Sequence, residues 1–334
     1  MTLTIGINGF GRIGRTVLRQ IMQQKADISV VRINDIADLE LCAYLFAYDS
    51  VFGPYPGKVE ARDGGLIVDG HHIAFSNDAD LSDTDLGGID VWLECAGHAK
   101  TREIAERGLH AGASRVLISG PSEAADVTVV MGANEADLGD QQIVSNASCT
   151  TNAAGSPLQI MKDSVGVESA LLNTIHSYTA TQSIVDGPVR GGKDFRKGRA
   201  AAQNIIPSTT GSAIATTKAI PELRGRFDGI AVRVPTVTGS IVDITFIASR
   251  DTDVDEINSI FRTAAQSEQY KGLVRVEEDQ VVSSDIIGDT HVAIIDPAFT
   301  KVVGRLVKIL AWYDNEAGYS SALAKQVVAM GQSI

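Results

Sequence analysis

Cysteine, proline and aromatic residues are scarce in this 334-residue chain. The three cysteines, Cys42, Cys95 and Cys149, are too few and too scattered for a disulfide framework. A reducing cytoplasm is therefore the expected compartment. With only 9 prolines and 32 glycines, the composition is also not that of a disordered chain.

Basic residues are outnumbered as well, with 29 lysines and arginines against 41 acidic residues and a net charge of −12. No basic block offsets this balance, so we expect no nucleic acid partner. The first residues, 1–5, lack the basic start and apolar run of a signal peptide, and no apolar run is long enough to span a bilayer. His71 and His72 follow a tight turn without further ligands nearby, so no metal site is expected.

Apolar residues make up 44% of the chain, enough for sizeable cores, and the length favours two domains. In the first half, short apolar runs alternate with amphipathic stretches such as 15–24, whose apolar residues have helical spacing. The strand-like runs are 3–8, 28–34, 91–95, 116–119 and 127–131, with hairpin-like turns in 58–76. This alternation predicts an α/β fold with a doubly wound parallel sheet in residues 1–148.

The second half of the chain has a different pattern. Its strand-like runs, 169–177, 229–235 and 240–249, alternate with period two, which favours a mixed or antiparallel sheet. Segments 254–267 and 319–330 have helical patterns. A long stretch poor in apolar residues, 180–204, interrupts these elements, and a long loop inside a compact domain is usually functional.

A glycine-rich segment, Gly9-Phe10-Gly11-Arg12-Ile13-Gly14, matches the G-x-G-x-x-G pattern. It follows an apolar strand and opens a helix, and Asp35 ends the next strand, which is the context of a Rossmann dinucleotide site. Asp35 would accept hydrogen bonds from the adenine ribose and repel a 2′-phosphate, so NAD is favoured, with NADP not excluded. The alternative is a glycine-rich turn of an ordinary α/β protein.

The segment Ser148-Cys149-Thr150-Thr151-Asn152 places a thiol at the expected start of a helix. The N–H groups and partial charge there lower the pKa of a thiol, which favours a nucleophilic role. A buried structural cysteine is the alternative, although the polar neighbours argue against it. His176, at the end of a strand-like run, could be the partner of Cys149 or a structural residue.

Five segments of the chain resemble the phosphorylating glyceraldehyde-3-phosphate dehydrogenase family. They are GINGFGRIGR (6–15), SNASCTTN (145–152), RAAAQNIIPSTTG (199–211), VRVPT (232–236) and WYDNEAGYS (312–320). The resemblance implies a Rossmann NAD-binding domain (1–148), a catalytic α+β domain (149–315) and a C-terminal helix (316–334) packing back on the first domain. It also implies a homotetramer, and Gly191-Gly192 looks like an insertion relative to common family members.

The same resemblance assigns roles to individual residues. Cys149 is the expected nucleophile and His176 the expected base. The expected cofactor contacts are Gly9, Gly11, Arg12, Ile13, Gly14, Asp35, Ser119 and Asn315. The substrate phosphate is assigned to Thr179, Thr181 and Arg233, and the attacking inorganic phosphate to Ser148, Thr150, Thr210 and Gly211. From the residues alone, a surface ion pair would be the preferred interpretation of Arg233, and strand propensity that of the threonines.

The expected reaction is the glycolytic oxidation of glyceraldehyde 3-phosphate through a hemithioacetal and a thioester on Cys149. An erythrose-4-phosphate dehydrogenase, with the same thiol chemistry, is the enzyme alternative, and Ser208-Thr209-Thr210-Gly211 favours the first. A catalytically silent binding protein is the alternative of a different class.

Overall fold

The computed structural model describes residues 2–24, 27–189 and 194–332, so the Gly191-Gly192 pair lies outside the described residues. The chain divides into two units, each with its own sheet. Unit 1 contains the described residues up to Val129, Glu135–Ala147 and those from Ser320 onward. Unit 2 contains Val130–Asn134 and Ser148–Tyr319.

Unit 1 is an α/β unit. Its strands are β1 (Leu3–Asn8), β2 (Ile28–Asn34), β3 (Val59–Arg62), β4 (Gly65–Val68), β5 (His71–Ser76), β6 (Val91–Glu94), β7 (Arg115–Ile118), β8 (Val127–Thr128) and β9 (Ile143–Ser145). Its helices are α1 (Arg12–Gln24), α2 (Leu39–Ala47) and α3 (Arg102–His110). Val17, Leu18 and Ile21 form the buried face of α1, as their spacing predicts.

The strand order in unit 1 is β3-β4-β5-β2-β1-β6-β7-β9-β8. All neighbours from β5 to β8 are parallel, whereas β3, β4 and β5 pair antiparallel as hairpins. The chain order changes direction at β1, which lies between β2 and β6. Such a switch point leaves a crevice at the carboxyl ends of the strands, where α/β proteins bind ligands. The predicted doubly wound sheet is thus confirmed.

Unit 2 combines helices with a mixed sheet. Its elements are α4 (Cys149–Ser164), β10 (Ser169–Ser177), β11 (Ile206–Thr209), α5 (Ser212–Ala219), β12 (Phe227–Val234), β13 (Ser240–Ile247), α6 (Val254–Ala265), β14 (Val274–Val276), β15 (Ala293–Ile295), β16 (Lys301–Val303) and β17 (Leu306–Tyr313). Helix α7 (Ala317–Gly331) begins in unit 2 and belongs to unit 1 from Ser320.

The strand order in unit 2 is β11-β12-β10-β13-β17-β15-β14, with β16 paired to β17. Among the described strand pairs of this unit, only β10–β12 and β14–β15 are parallel, so the predicted mixed sheet is confirmed. Along β10, Ala170, Leu172, Thr174 and His176 are buried, while Leu171 is exposed. This period-two alternation places His176 on the buried face of the sheet.

Among the predicted elements, α1 and β8 differ most from their predicted bounds. Helix α1 begins at Arg12 rather than at residue 15, directly after the glycine loop. The strand expected over 127–131 ends at Thr128. It ends early because the Val130 N–H donates to the Asn134 side chain, and the Asn134 N–H donates back to the Val130 carbonyl in a turn.

Candidate active site

The glycine loop between β1 and α1 has a separate physical reason for each glycine. Gly9 has a φ of +87°, and a Cβ there would lie 2.5 Å from the Ala96 nitrogen. A Cβ on Gly14 would lie 2.3 Å from the Gly9 carbonyl oxygen. Among the described residues, its chain neighbours apart, no atom lies within 4 Å of a Cβ built on Gly11, so the packing of this part of the chain does not require a glycine there. Close approach of a pyrophosphate explains that glycine, and the loop therefore fits a dinucleotide.

Asp35 follows β2 and lines a pocket together with Gly9 and Gly11. Its Oδ2 accepts a hydrogen bond from the Phe10 N–H at 2.5 Å, and its Oδ1 accepts one from the Ala37 N–H at 2.8 Å. These bonds hold the carboxylate against the glycine loop. Each carboxylate oxygen keeps a lone pair for a further donor, such as a ribose hydroxyl.

The other cofactor residues predicted in unit 1 have different surroundings. The Arg12 guanidinium pairs with Asp49 and lies over the Phe52 ring, so its backbone N–H at the start of α1 is the group suited to a phosphate. Ile13 also lies in the first turn of α1. Ser119 follows β7, and its side chain hydrogen-bonds the Cys95 thiol.

Sequence reasoning missed three acidic residues of the unit 1 pocket, Asp78, Asp80 and Glu94. Asp78 organises its loop by accepting backbone hydrogen bonds from Leu81 and Asp83. Glu94 is buried, accepts a hydrogen bond from the Asn8 side chain at 2.6 Å, and has its pKa raised by burial. The only sequence signal for Glu94 is an acidic residue at the end of a buried strand.

Cys149 is the first residue of α4, as predicted. Ser148 is the N-cap, and its Oγ accepts the Thr151 N–H at 3.0 Å. Ala147, just before it, has a φ of +55°, a conformation that a non-glycine residue rarely adopts. This sharp turn leads into α4 and leaves the thiol beside the Cys149 and Thr150 N–H groups of the first helical turn.

His176 and Arg233 complete a cluster around this thiol. The Nε2 atom of His176 lies 3.4 Å from the Sγ atom of Cys149. In the parallel pairing of β10 with β12, His176 lies opposite Arg233, which brings their side chains together. The Nη1 atom of Arg233 lies 2.6 Å from the Nδ1 atom of His176 and donates to the Ser177 carbonyl at 3.0 Å.

The Nδ1 atom of His176 has two competing partners. It lies 2.7 Å from the Ser177 carbonyl, which only accepts, and 2.6 Å from the Arg233 guanidinium, which only donates. A neutral imidazole can satisfy one of them at a time. When Nδ1 carries the proton and donates to Ser177, the Nε2 lone pair faces the thiol and can accept its proton.

Burial controls the charge of both groups. It lowers the pKa of His176 to about 3, with the Arg233 charge acting in the same direction. Burial also raises the pKa of the Cys149 thiol, against the opposing effects of the Arg233 charge and hydrogen bonds from Thr150. The direction predicted from the helix N-terminus alone was therefore wrong, because desolvation outweighs the neighbouring charge and N–H groups. Burial therefore favours the neutral form of each group.

Tyr313 of β17 is a site neighbour that sequence reasoning did not identify. Its ring packs edge-on against the imidazole of His176, with centroids 5.9 Å apart. Its hydroxyl lies 3.0 Å from the Thr150 Oγ1 and 2.8 Å from the Thr174 Oγ1. The Thr150 hydroxyl thus faces Tyr313 and the thiol, and its backbone N–H also bonds the sulfur.

The remaining anion-site residues form two groups in unit 2. Thr179 and Thr181 hold their Oγ1 atoms 3.0 Å apart. Ser148 and Thr210 both contact the Ser212 hydroxyl, at 3.1 Å and 2.8 Å, although Ser212 was not among the predicted residues. Gly211 is the exposed N-cap of α5.

Asn315 is held in one orientation by two hydroxyl groups. Its Oδ1 accepts from Ser177 at 2.8 Å and from Ser240 at 3.1 Å, while the nearby Thr238 hydroxyl donates to Asp314 at 2.9 Å. Because Oδ1 already accepts these bonds, the Nδ2 group of Asn315 is the one suited to donate to the carboxamide of a ligand.

No helix in the described ranges is both long and apolar enough to cross a membrane. Within residues 2–24, 27–189 and 194–332, no three histidine, cysteine or acidic side chains are grouped to hold a metal ion.

Comparison with known proteins identifies the family of the chain. Residues 3–102 match the NAD binding domain of glyceraldehyde 3-phosphate dehydrogenase, and residues 148–315 match its C-terminal domain. A glyceraldehyde-3-phosphate dehydrogenase of Streptomyces coelicolor is 41% identical over the whole of both chains. Glyceraldehyde-3-phosphate dehydrogenase 1 of Kluyveromyces lactis is 45% identical over 97% of this chain and 98% of its own. The chain therefore belongs to the glyceraldehyde-3-phosphate dehydrogenase family.

Proposed function

We propose that this chain oxidises D-glyceraldehyde 3-phosphate, with NAD and inorganic phosphate, to 1,3-bisphosphoglycerate. The observation that carries the proposal is the 3.4 Å separation between the Cys149 Sγ and the His176 Nε2 at the start of α4. A thiol beside a neutral imidazole can form a covalent intermediate with an aldehyde. The fit of the glycine loop and Asp35 to a dinucleotide supports NAD as the cofactor.

The first step is the addition of the thiol to the aldehyde carbon. The C–S bond forms, the carbonyl π bond breaks, and the oxygen takes a proton to give a hemithioacetal. In this step the Nε2 atom of His176 takes the proton of the thiol and passes it to the substrate oxygen. The Nδ1–H group of His176 donates to the Ser177 carbonyl meanwhile. The thiol does not have to ionise beforehand, because the His176 base lies within reach of the sulfur.

The second step converts the hemithioacetal to a thioester. His176 removes the hydroxyl proton as the carbon loses a hydride, so the carbon is oxidised by two electrons. Bound NAD supplies the acceptor for that hydride. Asn315 orients the nicotinamide carboxamide through its Nδ2 donor.

Phosphate then releases the acyl group. A phosphate oxygen attacks the thioester carbon, the C–S bond breaks, and the electron pair returns to the Cys149 sulfur. The hydrogen-bond donors for this phosphate come from Ser148, Thr150, Thr210 and Gly211. Thr150 and Gly211 contribute backbone N–H groups near helix starts. The substrate phosphate is bound by Arg233 together with Thr179 and Thr181. When this anion binds, the Arg233 guanidinium leaves His176 and contacts the phosphate.

One steady-state experiment tests this function. Glyceraldehyde 3-phosphate and erythrose 4-phosphate are each assayed with NAD and with NADP, in the presence and absence of inorganic phosphate. We expect the highest kcat/KM for glyceraldehyde 3-phosphate with NAD, and acyl phosphate formation only with phosphate. Phosphate-independent oxidation, or a preference for the four-carbon aldehyde, would contradict the proposal. Absence of turnover with normal NAD binding would favour a silent relative.

We also propose that the chain acts as a cytoplasmic homotetramer. Large apolar side chains are exposed on β10 and β12, at Leu171 and Ile230, and in the long loop, at Ile184 and Phe195. Exposed apolar groups of this size are typical of subunit interfaces. The three free cysteines suit a reducing compartment. Light scattering after size exclusion would test the assembly, and a monomeric mass would refute it.

We propose that different parts of the chain have different roles. Residues 1–148 bind NAD, residues 149–315 carry the thiol chemistry, and the C-terminal helix packs on the NAD-binding domain. The Arg115 guanidinium donates to the Met330 carbonyl of α7 at 2.8 Å, within unit 1, which supports the last part. A chain truncated before α7 should lose NAD affinity, as measured by calorimetry; unchanged affinity would contradict this role.

A further inference from the structure

A chain of four hydroxyl groups joins the starts of two helices in unit 2. The Thr210 Oγ1 lies 2.8 Å from the Ser212 Oγ, which lies 3.1 Å from the Ser148 Oγ, which lies 2.8 Å from the Thr151 Oγ1. Ser148 caps α4 and Ser212 is the first residue of α5. Ser212 is only 4% exposed, so its oxygen is a fixed part of this chain.

The direction of these hydrogen bonds limits what Thr210 can donate to an anion. Thr210 accepts the Ser212 N–H at 3.1 Å and donates its own proton to the Ser212 Oγ. A hydroxyl has a single proton, so a proton directed at Ser212 is not available to a phosphate oxygen. A phosphate in this site must therefore compete with Ser212 for the Thr210 donor.

We propose that Ser212 is a positioning residue that weakens the binding of the attacking phosphate by holding the Thr210 proton. This inference rests on the proposed function for the identity of the anion. Weaker binding of inorganic phosphate before it attacks does not slow the chemical step, since only interactions that strengthen in the transition state raise kcat.

Substitution of Ser212 by alanine tests the inference directly. Without the Ser212 oxygen, the Thr210 hydroxyl loses its acceptor and is free to donate to phosphate. The KM for inorganic phosphate should fall roughly two- to tenfold, as expected for one gained hydrogen bond, while the KM for the aldehyde stays unchanged. The control is Thr217→Ala, which removes a hydroxyl from the same helix that bonds the Ile214 carbonyl instead.

Two further variants separate this role from a structural one. Ser212→Thr keeps the oxygen and should keep the phosphate KM of the parent chain. In a Thr210→Val background there is no proton to release, so adding Ser212→Ala should leave the phosphate KM unchanged. A rise in the phosphate KM of Ser212→Ala, an unchanged KM with lower thermal stability, or an effect that persists in the Thr210→Val background would each overturn the inference.

A direct binding measurement keeps this result independent of turnover. Inorganic phosphate is titrated into the full chain by calorimetry, without aldehyde, for the parent and for Ser212→Ala. Tighter binding by the variant supports the inference even if the parent fails to oxidise glyceraldehyde 3-phosphate, in which case only the proposed function fails. Equal or weaker binding by the variant overturns the inference even if the parent is fully active.

Discussion

The Cys149 thiol and the His176 imidazole lie 3.4 Å apart, and burial favours the neutral form of each by raising the pKa of the thiol and lowering that of the imidazole. A neutral pair at this distance can exchange one proton without leaving an isolated charge in a poorly solvated site. The proton transfer is thus coupled to the arrival of the substrate, whose oxygen accepts the displaced proton. This arrangement underlies the first two predictions.

Cys149→Ser should reduce phosphorylating turnover by about 10³-fold or more, because a serine hydroxyl beside the same imidazole is a much weaker nucleophile. NAD affinity, measured by calorimetry, should change little. Cys42→Ala, which removes a thiol on α2, is the matched control and should retain turnover. Near-normal turnover in Cys149→Ser would exclude the nucleophile assignment.

His176→Asn should slow alkylation of Cys149 by iodoacetamide at neutral pH. The amide cannot take the thiol proton, and the thiol keeps its pKa raised by burial. The rate is followed by mass spectrometry on the intact chain, with the number of labelled cysteines counted. An unaltered rate would show that Cys149 reacts without help from His176.

The buried imidazole should also make stability depend on pH. The folded-state pKa of His176 is lowered to about 3, so between the usual histidine pKa of about 6.5 and pH 3 only the unfolded chain binds this proton. The free energy of unfolding should therefore fall as pH falls through this window, by up to a few kcal/mol from this group. Urea unfolding at several pH values would show a smaller decline in His176→Asn; equal slopes would contradict the lowered pKa.

Arg233→Met should raise the KM for glyceraldehyde 3-phosphate by roughly 10- to 100-fold, since a hydrogen bond to a charged group contributes about 1.5–3 kcal/mol. Turnover of unphosphorylated glyceraldehyde should change much less, because it lacks the anion. Arg226→Met, at an exposed position just before β12, is the control. Equal losses for both aldehydes would argue against a phosphate contact.

Asp35→Ala should narrow the preference for NAD over NADP. The carboxylate lies against the glycine loop, bonded to the Phe10 N–H, where it would accept the ribose hydroxyls and repel a 2′-phosphate. The ratio of kcat/KM for the two cofactors measures the effect. An unchanged ratio would show that residues other than Asp35 discriminate between NAD and NADP.

Local sequence signals were sufficient for much of the fold. The alternation of apolar runs predicted the parallel sheet of unit 1, and period-two runs predicted the mixed sheet of unit 2, because burial of one face imposes those periods. Short elements such as β11, β14 and β16 have only three or four residues, too few for a periodicity to stand out. Asp78 and Glu94 were missed because a single acidic residue after a strand or in a loop has no distinctive pattern.

The sequence by itself determined the dinucleotide loop and the thiol at a helix start, because the positive φ of Gly9, the approach of Gly14 to the Gly9 carbonyl and the start of α4 at Cys149 are features of the local backbone. Resemblance to a family supplied His176 and Arg233, which lie 27 and 84 positions beyond Cys149 in the chain. Only the tertiary structure decided how these groups meet: the pairing of β10 with β12 joins His176 to Arg233, and Ser212 links Ser148 to Thr210. It also reversed the predicted direction of the Cys149 pKa shift, since desolvation depends on atoms brought close by packing, which no local spacing records.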